Sequence, residues 1–104
     1  MNIPEPEMVE KLERLEHTDD HSERTLLALE LAETRDLRVF GALLRLIQRE
    51  ELENRRGTLV PCLENYDCSS VRDLLAHLAE TGNFEVASGA QIILEEQGLA
   101  NPCP

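Results

Sequence analysis

Apolar residues recur along this chain at the spacing of amphipathic helices. Over residues 6–16 they fall on one helical face, at Met8, Val9, Leu12 and Leu15. A second apolar segment follows the polar run HTDDHS and contains Leu26, Leu27, Leu29, Leu31 and Ala32. No segment alternates between apolar and polar residues with a period of two, so the pattern predicts an all-α fold.

Capping residues and glycines set the boundaries of the later helices. Ser22 can begin the second helix and Asp36 the third, because short polar side chains satisfy the free N–H groups of a first turn. By the same signals, further helices are predicted from Glu53 to Tyr66, from Ser69 or Ser70 to Gly82, and from Asn83 to Gly98.

The chain contains an internal repeat. LAETRDLRV at residues 31–39 and LAETGNFEV at residues 78–86 align at an offset of 47, with Leu, Ala, Glu, Thr and Val identical. Asp36 aligns with Asn83, so the predicted helix caps match as well. A period in the forties that consists of helix, short turn and helix is typical of an α-solenoid.

The segment LVPCLENYDCSSVRDLLAHL resembles the HEAT-repeat pattern of armadillo-like α-solenoids. The residues that carry the resemblance are Leu59, Pro61 and Leu63 in a first helix, Asp67 in the turn, and Val71, Arg72 and Leu78 in a second helix. The match is good over residues 53–80 and looser over residues 22–50, since the looser segment lacks the proline.

The resemblance implies one domain, a short right-handed solenoid of HEAT-like helical hairpins with five to six helices. Its parts would be an N-terminal helix and turn (1–21), a loose repeat (22–50), the best-matching repeat (53–80), a closing helix (83–97) and a tail (98–104). Pro61 would bend the fourth helix, and Gly57 would relieve the crowding that the proline ring causes four residues back. Asp67 and Arg72 would join a ladder of side chains between turns.

Composition narrows the possible partners and location. The chain has 104 residues with 21 acids and 10 bases, a formal charge of −11. Such a charge repels nucleic acid and anionic lipid and attracts a basic partner, although it could also serve solubility alone. The start is too charged for a signal peptide and no apolar run is long enough for a membrane span, so we expect a soluble, cytoplasmic protein with reduced cysteines.

Residues that could catalyse a reaction or hold a metal form no known motif. The sequence has no phosphate-binding glycine loop, no Gly-x-Ser-x-Gly and no His-Glu-x-x-His. Two sets of possible metal ligands occur, one with His17, Asp19, Asp20 and His21, the other with Cys62, Cys68 and His77. The first is interpreted as a turn between helices, and the second lacks a fourth ligand and a common zinc spacing. We therefore predict no catalytic residue, metal, cofactor or enzymatic activity.

Three short runs bear on function. NRRGTL, LENYDC and GNFEV resemble small acidic HEAT-like immunity proteins of bacterial polymorphic toxin systems. This resemblance implies a protein-binding module that neutralises a cognate basic toxin through an acidic surface, as a monomer or a 1:1 complex. A general HEAT-like adaptor or scaffold is the second hypothesis. A helical-repeat enzyme is the third and least favoured hypothesis, since such enzymes need basic clefts or catalytic acids on longer chains.

In a solenoid, a binding face draws side chains from equivalent places in neighbouring helices. The candidate partner-binding acids are Glu50, Glu51 and Glu53 at one junction, Glu64 and Asp67 at the end of the fourth helix, and Glu80 and Glu85 at the next junction. Tyr66 lies among them and could anchor the partner, because Tyr is enriched at interface hot spots. The alternative is that Tyr66 packs over the helix end.

Overall fold

A computed structural model describes residues 3–49 and 57–99. These two ranges contain five α-helices: α1 (Glu5–His17), α2 (His21–Ala32), α3 (Leu37–Ile47), α4 (Arg72–Thr81) and α5 (Phe84–Glu96). Two 3-10 helices, Val60–Asn65 and Ser69–Val71, lie between α3 and α4. No strand occurs within the described ranges, so the predicted all-α class is confirmed.

Side-chain caps begin three of the α-helices. The Oδ1 atom of Asp36 accepts from the N–H of Arg38 at 2.9 Å, and that of Asn83 accepts from the N–H of Val86 at 3.0 Å, both as predicted. The cap of α2 is Asp20, two residues before the predicted Ser22, so the helix begins correspondingly earlier, at His21. The Asp20 carboxylate accepts from two backbone N–H groups of the first turn and places negative charge at the positive helix end.

The fourth predicted helix differs from the prediction. Its first residues lie outside the described ranges, and the described part is a turn over residues 57–59 followed by the 3-10 helix Val60–Asn65. Pro61 lies in the first turn of this 3-10 helix, where its missing N–H needs no helical acceptor, so the prediction of a proline bend within the helix is wrong. The thiol of Cys62 donates to the Thr58 carbonyl oxygen at 3.7 Å.

Asp67 and Arg72 stabilise the segment that follows, but through separate contacts. Asp67 Oδ1 accepts from the N–H and the hydroxyl of Ser69, where the second 3-10 helix begins. Arg72 Nε donates to the carbonyl oxygen of Leu99 at 2.9 Å and so holds the end of the described chain against α4. No Asp67–Arg72 hydrogen bond or ion pair occurs among the described residues, and the ladder of side chains between turns stays a prediction.

The helices pack as two hairpins joined through the middle of the chain. α1 and α2 are antiparallel neighbours, α3 packs against both, and the 3-10 helix Val60–Asn65 lies between α2, α3 and the α4–α5 hairpin. The buried leucines and isoleucines of the core include Leu43, Leu46, Ile47, Leu59, Leu63, Leu75, Leu78, Ile93 and Leu94. Leu74 is half-buried and packs against the core.

Each copy of the internal repeat spans the end of one α-helix and the start of the next. Its apolar positions Leu31 and Leu78 are buried near the ends of α2 and α4, and Asp36 and Asn83 cap the helices that follow. The next residues, Leu37 and Phe84, are 76% and 86% exposed. The solenoid arrangement, its handedness and the division into repeats stay predictions.

Candidate protein-interaction surface

Acidic residues are concentrated on the N-terminal hairpin, which we define as residues 5–33. This segment contains ten acidic and three basic residues, a formal charge of −7 out of −11 for the whole chain. Lys11 Nζ lies 2.7 Å from a Glu30 carboxylate oxygen, and Arg14 Nη2 lies 2.8 Å from one of Glu23. The hydrogen bond to Glu30 raises the pKa of Lys11. Two of the three basic side chains are therefore already paired with acids between α1 and α2.

Two further acids of the hairpin are paired with α3. Glu5 meets Arg38 and Glu16 meets Arg45, each at 2.6 Å, and these hydrogen bonds lower the pKa of both carboxyls. Within the described ranges, no basic side chain forms an ion pair with Asp20, the cap of α2, or with five other exposed acids of the hairpin, which are Glu7, Glu10, Glu13, Asp19 and Glu33.

Two leucines on α2 are exposed beside these acids. Leu26 is 67% exposed and Leu29 is 51% exposed, whereas Leu27 and Leu31 on the same helix are buried. The sequence pattern counted all four among the apolar positions of the second helix and gave no sign of which would face solvent. The available signal was that the run LLALELA carries more apolar residues than one helical face can hold.

Two shallow clefts lie along the outer side of the hairpin. One, of about 410 Å³, is lined by Glu10, Glu13, Arg14, His17, Thr18 and Glu23. The other, of about 370 Å³, is lined by Arg14, Asp20, Ser22, Glu23, Leu26, Leu27 and Glu30. The Arg14–Glu23 ion pair borders both clefts. Together they form a continuous acidic surface that includes one of the exposed leucines.

The acids predicted as partner-binding residues are divided between two places. Glu50, Glu51 and Glu53 lie outside the described ranges. Glu64 and Asp67 are exposed near the C-terminal end of α5, where Gln97 hydrogen-bonds to the backbone of Tyr66 and Cys68. Glu80 and Glu85 are exposed near the N-terminal end of α5. The two pairs thus lie toward opposite ends of α5, and their role in partner binding stays a prediction.

Tyr66 is buried rather than presented to a partner. It is 6% exposed, its ring stacks on that of Phe40 with centroids 4.9 Å apart, and its hydroxyl donates to the carbonyl oxygen of Asp36 at 3.0 Å. Burial raises the pKa of the phenol to about 12. The structure thus places Tyr66 over a helix end, which is the alternative given for it, and its role as a partner-binding residue stays a prediction.

The two sets of possible metal ligands have structural roles. His17 ends α1 and His21 begins α2, so HTDDH is the predicted interhelix turn, and the Asp20 carboxylate is occupied by the first turn of α2. Cys62 and Cys68 are buried, which raises the pKa of the Cys62 thiol to about 11 and also raises that of Cys68. Over the described part of the chain, no three His, Cys, Asp or Glu side chains are grouped as a metal site.

Comparison with known proteins gave no match to a family model, a curated protein or a solved structure. None of the helices in the described ranges is both long enough and apolar enough to cross a membrane. Functional interpretation therefore depends on the surface described above and on the sequence resemblance.

Proposed function

We propose that this chain is a protein-binding module that binds a basic protein through the acidic surface of its N-terminal hairpin. The observation that carries the proposal is the concentration of charge: −7 lies on residues 5–33, and the exposed bases there are paired internally. A field of one sign speeds the encounter with a partner of opposite sign. The resemblance to HEAT-like immunity proteins favours a cognate bacterial toxin as that partner, neutralised in the cytoplasm.

The proposed binding surface differs from the set of partner-binding acids that the sequence predicts. Glu64, Glu80 and Glu85 are spread over two ends of α5, whereas Glu10, Glu13 and Glu33 belong to one hairpin with few free bases. A compact group of like charges produces a stronger local field than the same charges spread over the surface. The hairpin acids are therefore the better candidates for steering a basic partner.

A general adaptor is the second candidate function, and one observation favours it. Leu37 and Phe84 occupy the same position of the internal repeat and are the two most exposed large apolar side chains in the described ranges. Equivalent exposed residues on two corners would suit a chain that contacts more than one partner. An immunity protein needs only one such surface.

The proposal can be tested in two steps. The tagged chain is used to isolate its stable partner from the cells that produce it, and that partner is expressed alone and together with the chain. We expect a basic protein that arrests growth when expressed alone, and normal growth when the chain is present. A basic partner without toxicity would favour the adaptor, and an acidic partner would contradict both proposals.

Association kinetics then test the surface. The triple variant Glu10→Gln/Glu13→Gln/Glu33→Gln should associate with the isolated partner more slowly, by about tenfold at low salt, and depend less on salt. The matched control, Glu64→Gln/Glu80→Gln/Glu85→Gln, removes the same charge elsewhere and should change the rate by less than about twofold. Equal effects of the two triple variants would mean that net charge, and not the hairpin, governs association.

A further inference from the structure

We infer that the outer face of α2 is the docking site for a basic, amphipathic helical segment of the partner protein. This inference rests on the proposed function and adds the place of contact and the chemistry of the bound segment. Leu26 and Leu29 lie three residues apart on α2 and are 67% and 51% exposed, so they form one apolar patch. Each of these leucines leaves much of its apolar surface in water.

The pair differs from the other exposed apolar residues. Elsewhere in the described ranges, large apolar side chains are exposed at Val9, Leu37, Phe84 and Ile92, and no two of these lie within one turn of the same helix. Single exposed apolar side chains are normal on protein surfaces and need no function, whereas adjacent ones mark a contact surface more often. Leu26 and Leu29 are thus the strongest apolar candidate on the described surface.

Acids surround this leucine pair. Glu23, Glu30 and Asp20 line the cleft that Leu26 borders, and Glu33 follows Leu29 by four residues, which places it on the same face of the chain about one turn further on. An apolar centre with a charged rim is the usual composition of a binding patch. The complementary surface has apolar side chains for the leucines and Lys or Arg for the acids.

A helix meets these requirements with its natural spacing. The cleft lies between the antiparallel helices α1 and α2, and a third helix can lie along such a pair with apolar residues at positions i, i+3, i+4 and i+7. Its remaining positions, occupied by Lys and Arg, would face Glu33 and the Oε1 atoms of Glu23 and Glu30, whose Oε2 atoms pair with Arg14 and Lys11. A second copy of this chain fits poorly, because two hairpins of charge −7 would repel each other.

Synthetic peptides provide a defined probe. The first is a basic peptide of about 18 residues, five helical turns, with Leu at the positions named above and Lys or Arg at most others. The second has the same charge with each Leu replaced by Gln. Binding of both to the full chain is measured by titration calorimetry at low salt. We expect the amphipathic peptide to bind at least about tenfold more tightly, since burial of its leucines accompanies charge pairing.

Variants of the chain locate the site. Leu26→Gln/Leu29→Gln should weaken binding of the amphipathic peptide by about tenfold or more. The matched variant Val9→Gln/Ile92→Gln changes two equally apolar, half-exposed residues elsewhere and should change the affinity by less than about twofold. Gln keeps a high helix propensity, and thermal melts followed by circular dichroism will show that both variants are folded.

Four outcomes would overturn the inference. One is equal binding of the two peptides, which would mean that the surface attracts charge only. Another is an unchanged affinity in Leu26→Gln/Leu29→Gln. The third is a dimer of the chain alone, seen by sedimentation and lost in that variant, which would assign the face to a second copy. If a basic partner isolated from cells still binds this variant normally, the docking site is wrong while the proposed function stands.

Discussion

Arg24 Nη2 donates to the carbonyl oxygen of Thr18 at 2.6 Å, which places a guanidinium at the C-terminal end of α1. Arg49 Nη1 donates to the carbonyl oxygen of Glu16 at 2.7 Å at the same end. The last carbonyls of a helix have no intrahelical donor and carry partial negative charge, so both arginines act as C-terminal caps. Arg24 is 5% exposed, however, and its Nε and Nη1 groups meet no acceptor in the part of the chain that the structure describes.

The first prediction is that Arg24 stabilises the hairpin through its volume rather than its charge. Burial of an unpaired cation is costly, so Arg24→Met should leave the free energy of unfolding unchanged or raise it by about 1 kcal/mol. Arg24→Ala should lower it by about 2–3 kcal/mol because it leaves a cavity. Urea unfolding measures both. A loss above about 2 kcal/mol in Arg24→Met would show that the bond to Thr18 outweighs the burial cost.

Tyr66 provides the second prediction. Its hydroxyl bonds the carbonyl of Asp36, the cap of α3, and its ring stacks on Phe40. Tyr66→Phe should lower the free energy of unfolding by about 1 kcal/mol, the usual contribution of one hydrogen bond, and Tyr66→Ala by about 3–5 kcal/mol. Denaturant melts of both variants check this. If Tyr66→Ala loses under about 1 kcal/mol but releases a partner faster, Tyr66 acts as an interface anchor after all.

The contrast between Tyr66 and the helix caps shows what the sequence could predict. The predicted helix caps Asp36 and Asn83 are confirmed. A capping side chain bonds a backbone N–H only two or three positions away, so the local sequence is enough to predict it. The exposure of Tyr66 depends on Phe40 and Asp36, which lie about 30 residues away in the chain and are brought close by tertiary packing. No local pattern contains that information.

The leucines of α2 show the same limit for the candidate site. Leu26 and Leu27 are adjacent and equally apolar, and only the positions of α1, α3 and the 3-10 helix decide that one is buried. Pro61 is a related case, since a proline is compatible with both a bent α-helix and the first turn of a 3-10 helix. The excess of acidic residues is evident from the composition. Which of these acids remain unpaired on the hairpin surface can be determined only when the ion-pair partner of each basic side chain is known.

Two glycines provide a third, paired prediction. A Cβ on Gly82 would lie 2.5 Å from Val86 Cγ1 and 2.7 Å from the carbonyl oxygen of Leu78, so the close turn between α4 and α5 leaves no room for it. Gly82→Ala should lower the free energy of unfolding by about 1–3 kcal/mol. Gly41, inside α3, would meet only the end of Arg45 at 3.5 Å, so Gly41→Ala should raise it by about 0.5–1 kcal/mol.

Urea unfolding of the two variants measures these opposite effects in the same protein. The sign is the decisive result, because both substitutions add one methyl group, one inside a helix that has room for it and the other at a crowded helix end. Destabilisation by Gly41→Ala would mean that α3 packs more tightly at this position than the structure describes. A stable Gly82→Ala variant would mean that α4 and α5 can separate at their turn without cost.

The last prediction concerns how low pH affects the stability that the ion pairs of Arg38 contribute. This side chain bonds Glu5 on α1 and Asp36 at the start of α3, and these hydrogen bonds lower the pKa of both carboxyls from their ordinary values of 4.5 and 3.8. Because each folded pKa lies below the unfolded one, the contribution to stability is complete above about pH 4.5 and is lost as the pH falls through the folded pKa.

Substitution of Arg38 should therefore make the protein less sensitive to acid. We expect the midpoint of thermal unfolding to fall less between about pH 6.5 and pH 3 in Arg38→Gln than in the unmodified chain. Arg35→Gln is the matched control: it removes the same charge nearby from a side chain that has no ion pair within the described ranges. Protonation of the many other acids relieves repulsion in all three proteins alike, so the difference between the two variants isolates Arg38. Identical acid sensitivity in the two variants would show that the bonds to Glu5 and Asp36 do not stabilise the contact between α1 and α3.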